Sequence, residues 1–146
     1  MSQTVRFQQK KIIKAKRQTV FNAWTDKNLI STWFAPGQLK SPSAEIDLKV
    51  GGAYRVNMEG KMGGQETTGD VSGEYKKIIP NELLVFTFRG TWEKVPDSTV
   101  TVEFKDVEGG TEITLTHEGI IDAHGGEGKR QGWESSLEKL SFACTK

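Results

Sequence analysis

Hydrophobic and polar residues alternate along most of this chain, and a period of two predicts β-strands. Seven segments carry the pattern: Val5 to Ile13, Ala44 to Asp47, Tyr54 to Glu59, Thr67 to Ile79, Leu84 to Arg89, Val100 to Phe104 and Ile113 to His117. Turn residues separate several of them, as at Gly51-Gly52, Pro80-Asn81 and Gly109-Gly110. Strands at this spacing, joined by short turns, predict an antiparallel meander.

Two short helices are predicted between the first strand and the second. The segment Arg17 to Thr25 places apolar residues at helical spacing, and Asp26 is a good N-cap for a second helix. The second helix would carry Leu29, Ile30 and Trp33. Pro36-Gly37 would end it, because both residues interrupt helices.

A longer amphipathic helix is predicted at the end of the chain. Between Glu127 and Ala143, the residues Trp133, Leu137 and Leu140 recur at i, i+4 and i+7. A long sheet curls as it twists, and this helix is the element long enough to cover its inner face. The predicted fold class is therefore α+β, with a curved antiparallel β-sheet wrapped around a long C-terminal helix. Such an arrangement often leaves a gap between helix and sheet.

Composition narrows the class of protein. A chain of 146 residues fits one domain, which we expect to span residues 1–146. The formal net charge of +1 argues against a dedicated nucleic-acid binder, which would show a basic excess. A single cysteine, Cys144, suits a reducing compartment, and neither a signal peptide nor a membrane-spanning run is recognisable. We therefore expect a cytoplasmic protein.

If the strand phases hold, a large apolar set points into the interior between the sheet and the last helix. The set comprises Tyr54, Val56, Met58, Phe86, Phe88, Trp92, Val102, Phe104, Leu115 and Trp133. With Trp24, Trp33, Tyr75, His117 and Leu137, these residues form the predicted lining of a ligand cavity. Each residue taken singly is better explained by a filled core. For the whole set we favour a pocket, because small ligands use apolar cavities with a few polar groups.

Polar chemistry in the chain is sparse. His117 is in phase with inward residues, so it could hydrogen-bond a ligand, shuttle a proton, or be a core histidine bonded to its neighbours. His117, His124 and Cys144 match no zinc spacing, so neither a metal nor a cofactor is expected. The glycine-rich segment 125–130 fails the phosphate-loop pattern. We interpret residues 119–128 as a loop near one end of the cavity that could act as a lid.

An ordered set of motifs resembles one family. The motifs are Val20 to Asp26 followed by Trp33, Asp47 to Tyr54, Gly73 to Ile78, Leu84 to Phe88, Thr99 to Phe104, Thr111 to His117, and Gly132-Trp133 with Leu137 and Leu140. In this order they resemble the domain named for homology to the activator of heat-shock protein 90 ATPase. That family belongs to the START and birch-pollen-allergen-like superfamily, with the polyketide cyclases. The resemblance implies a helix-grip fold with a cavity between the sheet and the C-terminal helix.

Three functions are compatible with that resemblance. The first is non-enzymatic binding of a small, largely apolar molecule, such as a lipid, an aromatic or a polyketide-like compound. The second is a co-chaperone-like module of the stress response that regulates a heat-shock protein 90 type ATPase. Eukaryotic members of the family carry an additional N-terminal domain that contacts the chaperone, and we expect none here. The third is a cyclase or hydrolase that uses His117 with an inward carboxylate or tyrosine. No catalytic residue is assigned.

Overall fold

A computed structural model describes residues 4–62, 64–91, 97–121 and 123–145. The strands are β1 (Thr4–Ile13), β2 (Ala44–Ile46), β3 (Ala53–Met62), β4 (Gln65–Ile79), β5 (Leu83–Gly90), β6 (Ser98–Val107) and β7 (Gly110–Ile121). The helices are α1 (Arg17–Thr25), α2 (Lys27–Ile30) and α3 (Ala123–Cys144). The predicted α+β class, with a helix-grip arrangement, is confirmed. No helix in the described part of the chain is long and apolar enough to cross a membrane.

The strands form one seven-stranded antiparallel sheet in the order β1-β7-β6-β5-β4-β3-β2. Strands β2 to β7 follow one another as the predicted meander, and β1 then pairs with β7. The chain must therefore pass from one edge of the sheet to the other between β1 and β2. Helices α1 and α2 lie on this crossing segment, which carries them across the concave face.

Helix α3 covers the inner face of the sheet nearest β1. Lys11 donates to the Glu138 carboxylate at 2.6 Å, and Gln9 donates to the carbonyl oxygen of Arg130 at 2.9 Å. Leu137 and Leu140 of α3 are buried in the same hydrophobic core as Ile13 of β1. The predicted amphipathic stripe is therefore the face that the helix buries.

The start of α3 differs from the prediction. We predicted a loop over residues 119–128, and that prediction is wrong because β7 continues to Ile121 and α3 begins at Ala123. Glycines at 125, 126 and 128 lower helix propensity by about 1 kcal/mol each relative to alanine. Extending an existing helix still adds one backbone hydrogen bond per residue without a new nucleation cost. Residues 123–128 therefore join the 22-residue helix.

For the second short helix, the predicted N-cap is correct and the predicted C-terminal end is wrong. The Asp26 carboxylate accepts from the backbone N–H groups of Asn28 and Leu29, as an N-cap does. Helix α2 nevertheless ends at Ile30, before Trp33 and well before the proline. The Ser31 and Thr32 hydroxyls donate to backbone carbonyls three residues earlier, an arrangement that competes with regular helix. Trp33 therefore lies in a turn, although it remains buried.

Candidate functional site

A cleft of about 480 Å³ lies between the first half of α3 and the part of the sheet formed by β3, β4 and β5. Its described lining comprises Phe34, Pro36, Leu39, Met58, Thr67, Thr68, Gly69, Val71, Phe88, Gly128, Lys129, Gly132, Trp133 and Ser136. The lining is mainly apolar, and the volume lies within the range of about 300–1,000 Å³ typical of small-molecule sites. Thr68 and Gly128 are exposed, so one end of the cleft opens to solvent.

The helical wall of the cleft is one face of α3. Lys129, Gly132, Trp133 and Ser136 follow one another at i, i+3, i+4 and i+7, so they lie on the same side of the helix. Trp133 and Ser136 are buried, whereas Lys129 is half-buried. The Trp133 ring packs against Phe88 across the cleft floor, with 5.8 Å between centroids.

The second wall is the loop that follows α2, from Phe34 to Leu39, and side chains of α3 hold it in place. The Ser136 hydroxyl donates to the Phe34 carbonyl oxygen at 2.7 Å. The Lys139 ammonium donates to the carbonyl oxygens of Ala35 at 2.5 Å and Leu39 at 3.3 Å. Burial lowers the pKa of Lys139, because partial removal from water disfavours the charged ammonium group. The loop and the helix therefore form one continuous surface.

The sheet supplies the floor of the cleft. Met58 on β3, Val71 on β4 and Phe88 on β5 all point inward from adjacent strands and are buried. Thr67 and Gly69 continue the inward phase of β4 beyond the end of β5, where the sheet is narrower. The floor is thus apolar at its centre and polar toward the start of β4.

A different region of the same interface is filled. Trp24 of α1 packs edge-on against Trp33, with centroids 4.6 Å apart, and stacks on Trp133 at 5.8 Å. Trp24, Tyr54, Tyr75 and Phe86 are among the residues around a gap of only about 10 Å³. A gap of that size holds about one water molecule. The indoles carried by the crossing segment therefore occupy the space that the sequence analysis assigned to a ligand.

The fifteen predicted lining residues divide accordingly. Met58, Phe88 and Trp133 lie on the cleft. Eleven others are buried in the surrounding core and do not line it: Trp24, Trp33, Tyr54, Val56, Tyr75, Phe86, Val102, Phe104, Leu115, His117 and Leu137. Trp92 lies outside the described residues. The inward phase of the described strand residues is correct. It does not locate the cleft, because alternation gives the face of a strand and not what lies opposite it.

His117 is completely buried, and protein groups bind both of its ring nitrogens. Trp133 Nε1 lies 3.1 Å from His117 Nδ1, and Ser98 Oγ lies 2.7 Å from His117 Nε2. An indole N–H only donates, so Nδ1 must accept, and the neutral ring carries its proton on Nε2. That proton is donated to Ser98 Oγ, and the Ser98 hydroxyl donates to the Phe88 carbonyl oxygen at 3.2 Å.

This chain of hydrogen bonds determines the chemistry of His117. Burial lowers its pKa to about 3, so the ring is neutral at physiological pH. Although the Ser98–His117 distance suits a nucleophile–base pair, the proton lies on the wrong nitrogen for His117 to act as a base toward Ser98. His117 is therefore a structural group behind the cleft, bonded to Trp133 and packed edge-on against Phe88. Of the roles considered for His117, a core histidine bonded to its neighbours fits this environment.

The two inward tyrosines are also buried. The Tyr54 hydroxyl donates to the Thr87 carbonyl oxygen at 2.7 Å, and burial raises its pKa well above the ordinary value. Burial also raises the pKa of Tyr75. Within the described ranges, no group of three acidic, histidine or cysteine side chains could hold a metal ion.

Sequence reasoning missed the loop wall, the β4 threonines and most of the helical face. The α3 face was recoverable, because Lys129, Gly132, Trp133 and Ser136 have helical spacing. The loop wall was hidden because Pro36-Gly37 was interpreted only as a helix end. Gly132 faces the loop wall, because a Cβ added there would stand 3.8 Å from the Pro36 ring, which is ordinary van der Waals contact.

Comparisons with known proteins agree with this architecture. A profile of the family described as "Activator of Hsp90 ATPase homolog 1-like protein" matches residues 14–143. The human "Activator of 90 kDa heat shock protein ATPase homolog 1" is 34% identical over a stretch that covers 54% of this chain. The match spans only 24% of the human protein, about a quarter of its length.

Solved bacterial structures share the fold. A crystal structure of a protein from Chromobacterium violaceum is 26% identical, with a TM-score of 0.83, and the match covers 98% of this chain and 97% of that one. An AHSA1 protein from Silicibacter pomeroyi is 20% identical, with a TM-score of 0.81 and coverage of 94% and 96%. Because the family profile extends over most of the sequence, this chain belongs to the family of Activator of Hsp90 ATPase homolog 1-like proteins.

Proposed function

We propose that this protein binds a small, largely apolar molecule in the cleft beside Trp133. The observation that carries the proposal is the cleft of about 480 Å³ bordered mainly by apolar side chains of α3, the loop and the sheet. Burial of an apolar ligand there would contribute about 25 cal/mol for each Å² removed from water. We also propose that residues 1–146 form a single domain and that the protein resides in the cytoplasm.

Three sides of the cleft support a binding role. Trp133 and Phe88 offer flat aromatic surfaces, which bury a large area with little loss of side-chain freedom. Hydrogen bonds from Ser136 and Lys139 hold the loop wall against α3, so the site is largely formed before a ligand arrives. The Trp133 indole N–H is occupied by His117, so Trp133 would contribute its ring rather than a hydrogen bond.

Titration with the neutral fluorescent probe N-phenyl-1-naphthylamine tests this function. We expect saturable binding to the native protein and at least tenfold weaker binding to Thr67→Trp, because the added indole would occupy the cleft. Thr101→Trp is the matched control. Thr101 is half-buried on the outward phase of β6, so this variant should bind within twofold of the native protein. Absence of saturable binding, or equal affinity in both variants, would refute the proposal.

A second candidate is a co-chaperone-like role, and the family membership favours it. The human relative is named as an activator of the 90 kDa heat shock protein ATPase. The test is the ATPase rate of the human 90 kDa heat shock protein with increasing amounts of this chain. Stimulation that persists in Thr67→Trp would assign the activity to an outer surface. No stimulation at saturating protein would remove this candidate.

A further inference from the structure

Phe34 is the one described residue that borders both the open cleft and the small gap in the filled half of the interface. The cleft on one side of Phe34 has a volume of about 480 Å³. The gap on the other side has about 10 Å³ and is also bordered by Trp24, Tyr54 and Tyr75. The Phe34 side chain therefore separates two spaces of very different size.

Packing and hydrogen bonds hold Phe34 in this position. The centroid of its ring lies 5.5 Å from that of Trp133 and 5.6 Å from that of Trp33, and only 4% of the residue is exposed. Its backbone N–H donates to the Ile30 carbonyl oxygen at 3.0 Å. Its carbonyl oxygen accepts from the Ser136 hydroxyl at 2.7 Å. The partition is therefore a fixed part of the fold.

The deep surface of the cleft offers a ligand no unbonded side-chain donor among its described residues. Of the buried residues that line it, only Trp133 and Ser136 carry an N–H or O–H group on the side chain. Trp133 donates to His117 Nδ1, and Ser136 donates to the Phe34 carbonyl oxygen. A ligand oxygen buried there would lose its bonds to water without gaining a partner, which is unfavourable.

An unbonded donor does lie on the far side of Phe34. Trp24 is only 2% exposed, and its indole Nε1 has no hydrogen-bond partner within the described part of the chain. Such a group is unusual, because buried N–H groups are nearly always bonded. The Tyr54 hydroxyl, which borders the same gap, already donates to the Thr87 carbonyl oxygen. The Trp24 N–H is therefore a donor that no protein group in the described ranges uses.

We propose that Phe34 determines the specificity of the cleft, because its ring keeps a ligand away from the Trp24 indole N–H. The native cleft then accepts molecules whose buried part is entirely apolar, and it discriminates against molecules that bury an oxygen acceptor. This inference rests on the proposed binding function and specifies its ligand class. Phe34→Ala would join the gap to the cleft and let an acceptor reach Trp24.

Displacement of N-phenyl-1-naphthylamine by diphenylmethane and by benzophenone tests the inference. The two compounds carry the same pair of rings and differ only in a central methylene or carbonyl group. We expect the native protein to bind diphenylmethane about threefold more tightly or better, because the buried carbonyl finds no donor. In Phe34→Ala the ratio of the two affinities should shift toward benzophenone by about fivefold, as expected for one added hydrogen bond.

Further variants assign the effect to particular side chains. Met58 borders the cleft and not the gap, so Met58→Ala should change both affinities by a similar factor. Trp24→Phe added to Phe34→Ala should cancel the shift, whereas Tyr75→Phe added to it should not. Phe34→Leu, a smaller truncation that perturbs the core less, should shift the ratio in the same direction. In NMR spectra of Phe34→Ala, the Trp24 indole proton should move downfield with benzophenone and not with diphenylmethane.

The outcomes separate the two proposals. Equal affinity of the native protein for the two compounds, or an unchanged ratio in both Phe34 variants, would overturn the role of Phe34 and leave the apolar binding function standing. Cancellation of the shift by Tyr75→Phe instead of Trp24→Phe would overturn the role of Trp24. Failure of the fluorescent probe and of both compounds to bind the native protein would overturn both proposals.

Discussion

The two halves of the interface between helix and sheet contain the same kinds of residue, but one half is filled by side chains and the other leaves an open cleft. On one side, Trp24, Tyr54, Tyr75 and Phe86 leave a gap of about 10 Å³. On the other, Met58, Phe88 and Trp133 border a cleft of about 480 Å³. Aromatic content therefore does not distinguish a core from a site in this protein.

The distinction comes from the crossing segment. Helix α1 brings Trp24 onto the sheet, and the turn after α2 brings Trp33 against Trp24. The Trp33 indole N–H donates to the Ala23 carbonyl oxygen at 2.9 Å. Over β3 and the start of β4, the same segment contributes only the loop from Phe34 to Leu39, which forms a wall. A cleft remains where the crossing segment supplies this loop between α3 and the sheet, and no cleft remains where it supplies the indoles of Trp24 and Trp33.

Truncation of the filled half should have the largest effect. Phe86→Ala would leave a closed cavity, so we expect it to lower the free energy of unfolding by about 3–5 kcal/mol. Met58→Ala should cost about 2 kcal/mol, because the space it vacates merges with an existing cleft and leaves no new closed cavity. Chemical denaturation of the two variants measures both values.

Probe affinity provides the reciprocal comparison. Phe86→Ala should leave the affinity for N-phenyl-1-naphthylamine within twofold of the native value, whereas Met58→Ala should change it by threefold or more. Similar stability losses for the two variants, with similar changes in affinity, would mean that the filled and open halves are energetically one core.

An intermediate effect is expected from His117, which lies behind the cleft and is bonded to Trp133. In the unfolded chain the His117 imidazole takes up a proton at about pH 6.5. In the folded protein the same imidazole stays neutral down to about pH 3. Between those values the unfolded state binds more protons, so lowering the pH destabilises the fold by about 1.4 kcal/mol per pH unit. The contribution of His117 to the free energy of unfolding should be complete above pH 6.5 and should decrease by about 3 kcal/mol by pH 4.5.

Two measurements isolate that effect from other titrating groups. Urea denaturation of His117→Asn, whose Oδ1 can still accept from Trp133, should show a shallower pH dependence than the native protein. Nitrogen-15 NMR of the native imidazole should show the proton on Nε2 and no titration between pH 5 and 8. A midpoint near 6.5 in the folded protein would contradict the buried hydrogen-bond chain.

The smallest effect should come from a glycine on the wall of the cleft. Gly132→Ala should stabilise the fold by up to about 1 kcal/mol through helix propensity, since its Cβ would meet only the Pro36 ring at ordinary contact distance. Gly73→Ala is the contrasting control, because its Cβ would stand 1.9 Å from the Thr87 carbonyl oxygen. Thermal unfolding should raise the midpoint of the first variant and lower that of the second. A loss of stability in Gly132→Ala would show that the helix and the loop are already in tight contact.

Much of the secondary structure was predictable. The boundaries of α1 match the predicted segment from Arg17 to Thr25, and Asp26 caps α2 as expected. Gly51 has a φ of 86°, and a Cβ at Gly52 would lie 2.1 Å from the Asp47 carbonyl oxygen, so this turn requires glycine. These features depend on neighbours within a few residues, which is why the local pattern contains them.

The site was less predictable, because its parts come from distant segments. Ser136 meets Phe34 across 102 residues, and Lys139 meets Ala35 across 104. Neither pairing leaves a local signal, because a serine or lysine on an amphipathic helix is ordinarily a solvated residue. His117 illustrates the same limit, since its inward phase was readable and its bonds to Trp133 and Ser98 were not.

The order of apolar and polar residues was sufficient to specify the strands, the helices and the side of each strand that faces inward, since these follow from periods of two and 3.6 residues. Only the folded chain decided which inward residues touch one another and which border empty space. That outcome depends on where the crossing segment places Trp24 and Trp33, a long-range arrangement that local periodicity does not encode. The cleft is therefore a product of tertiary packing.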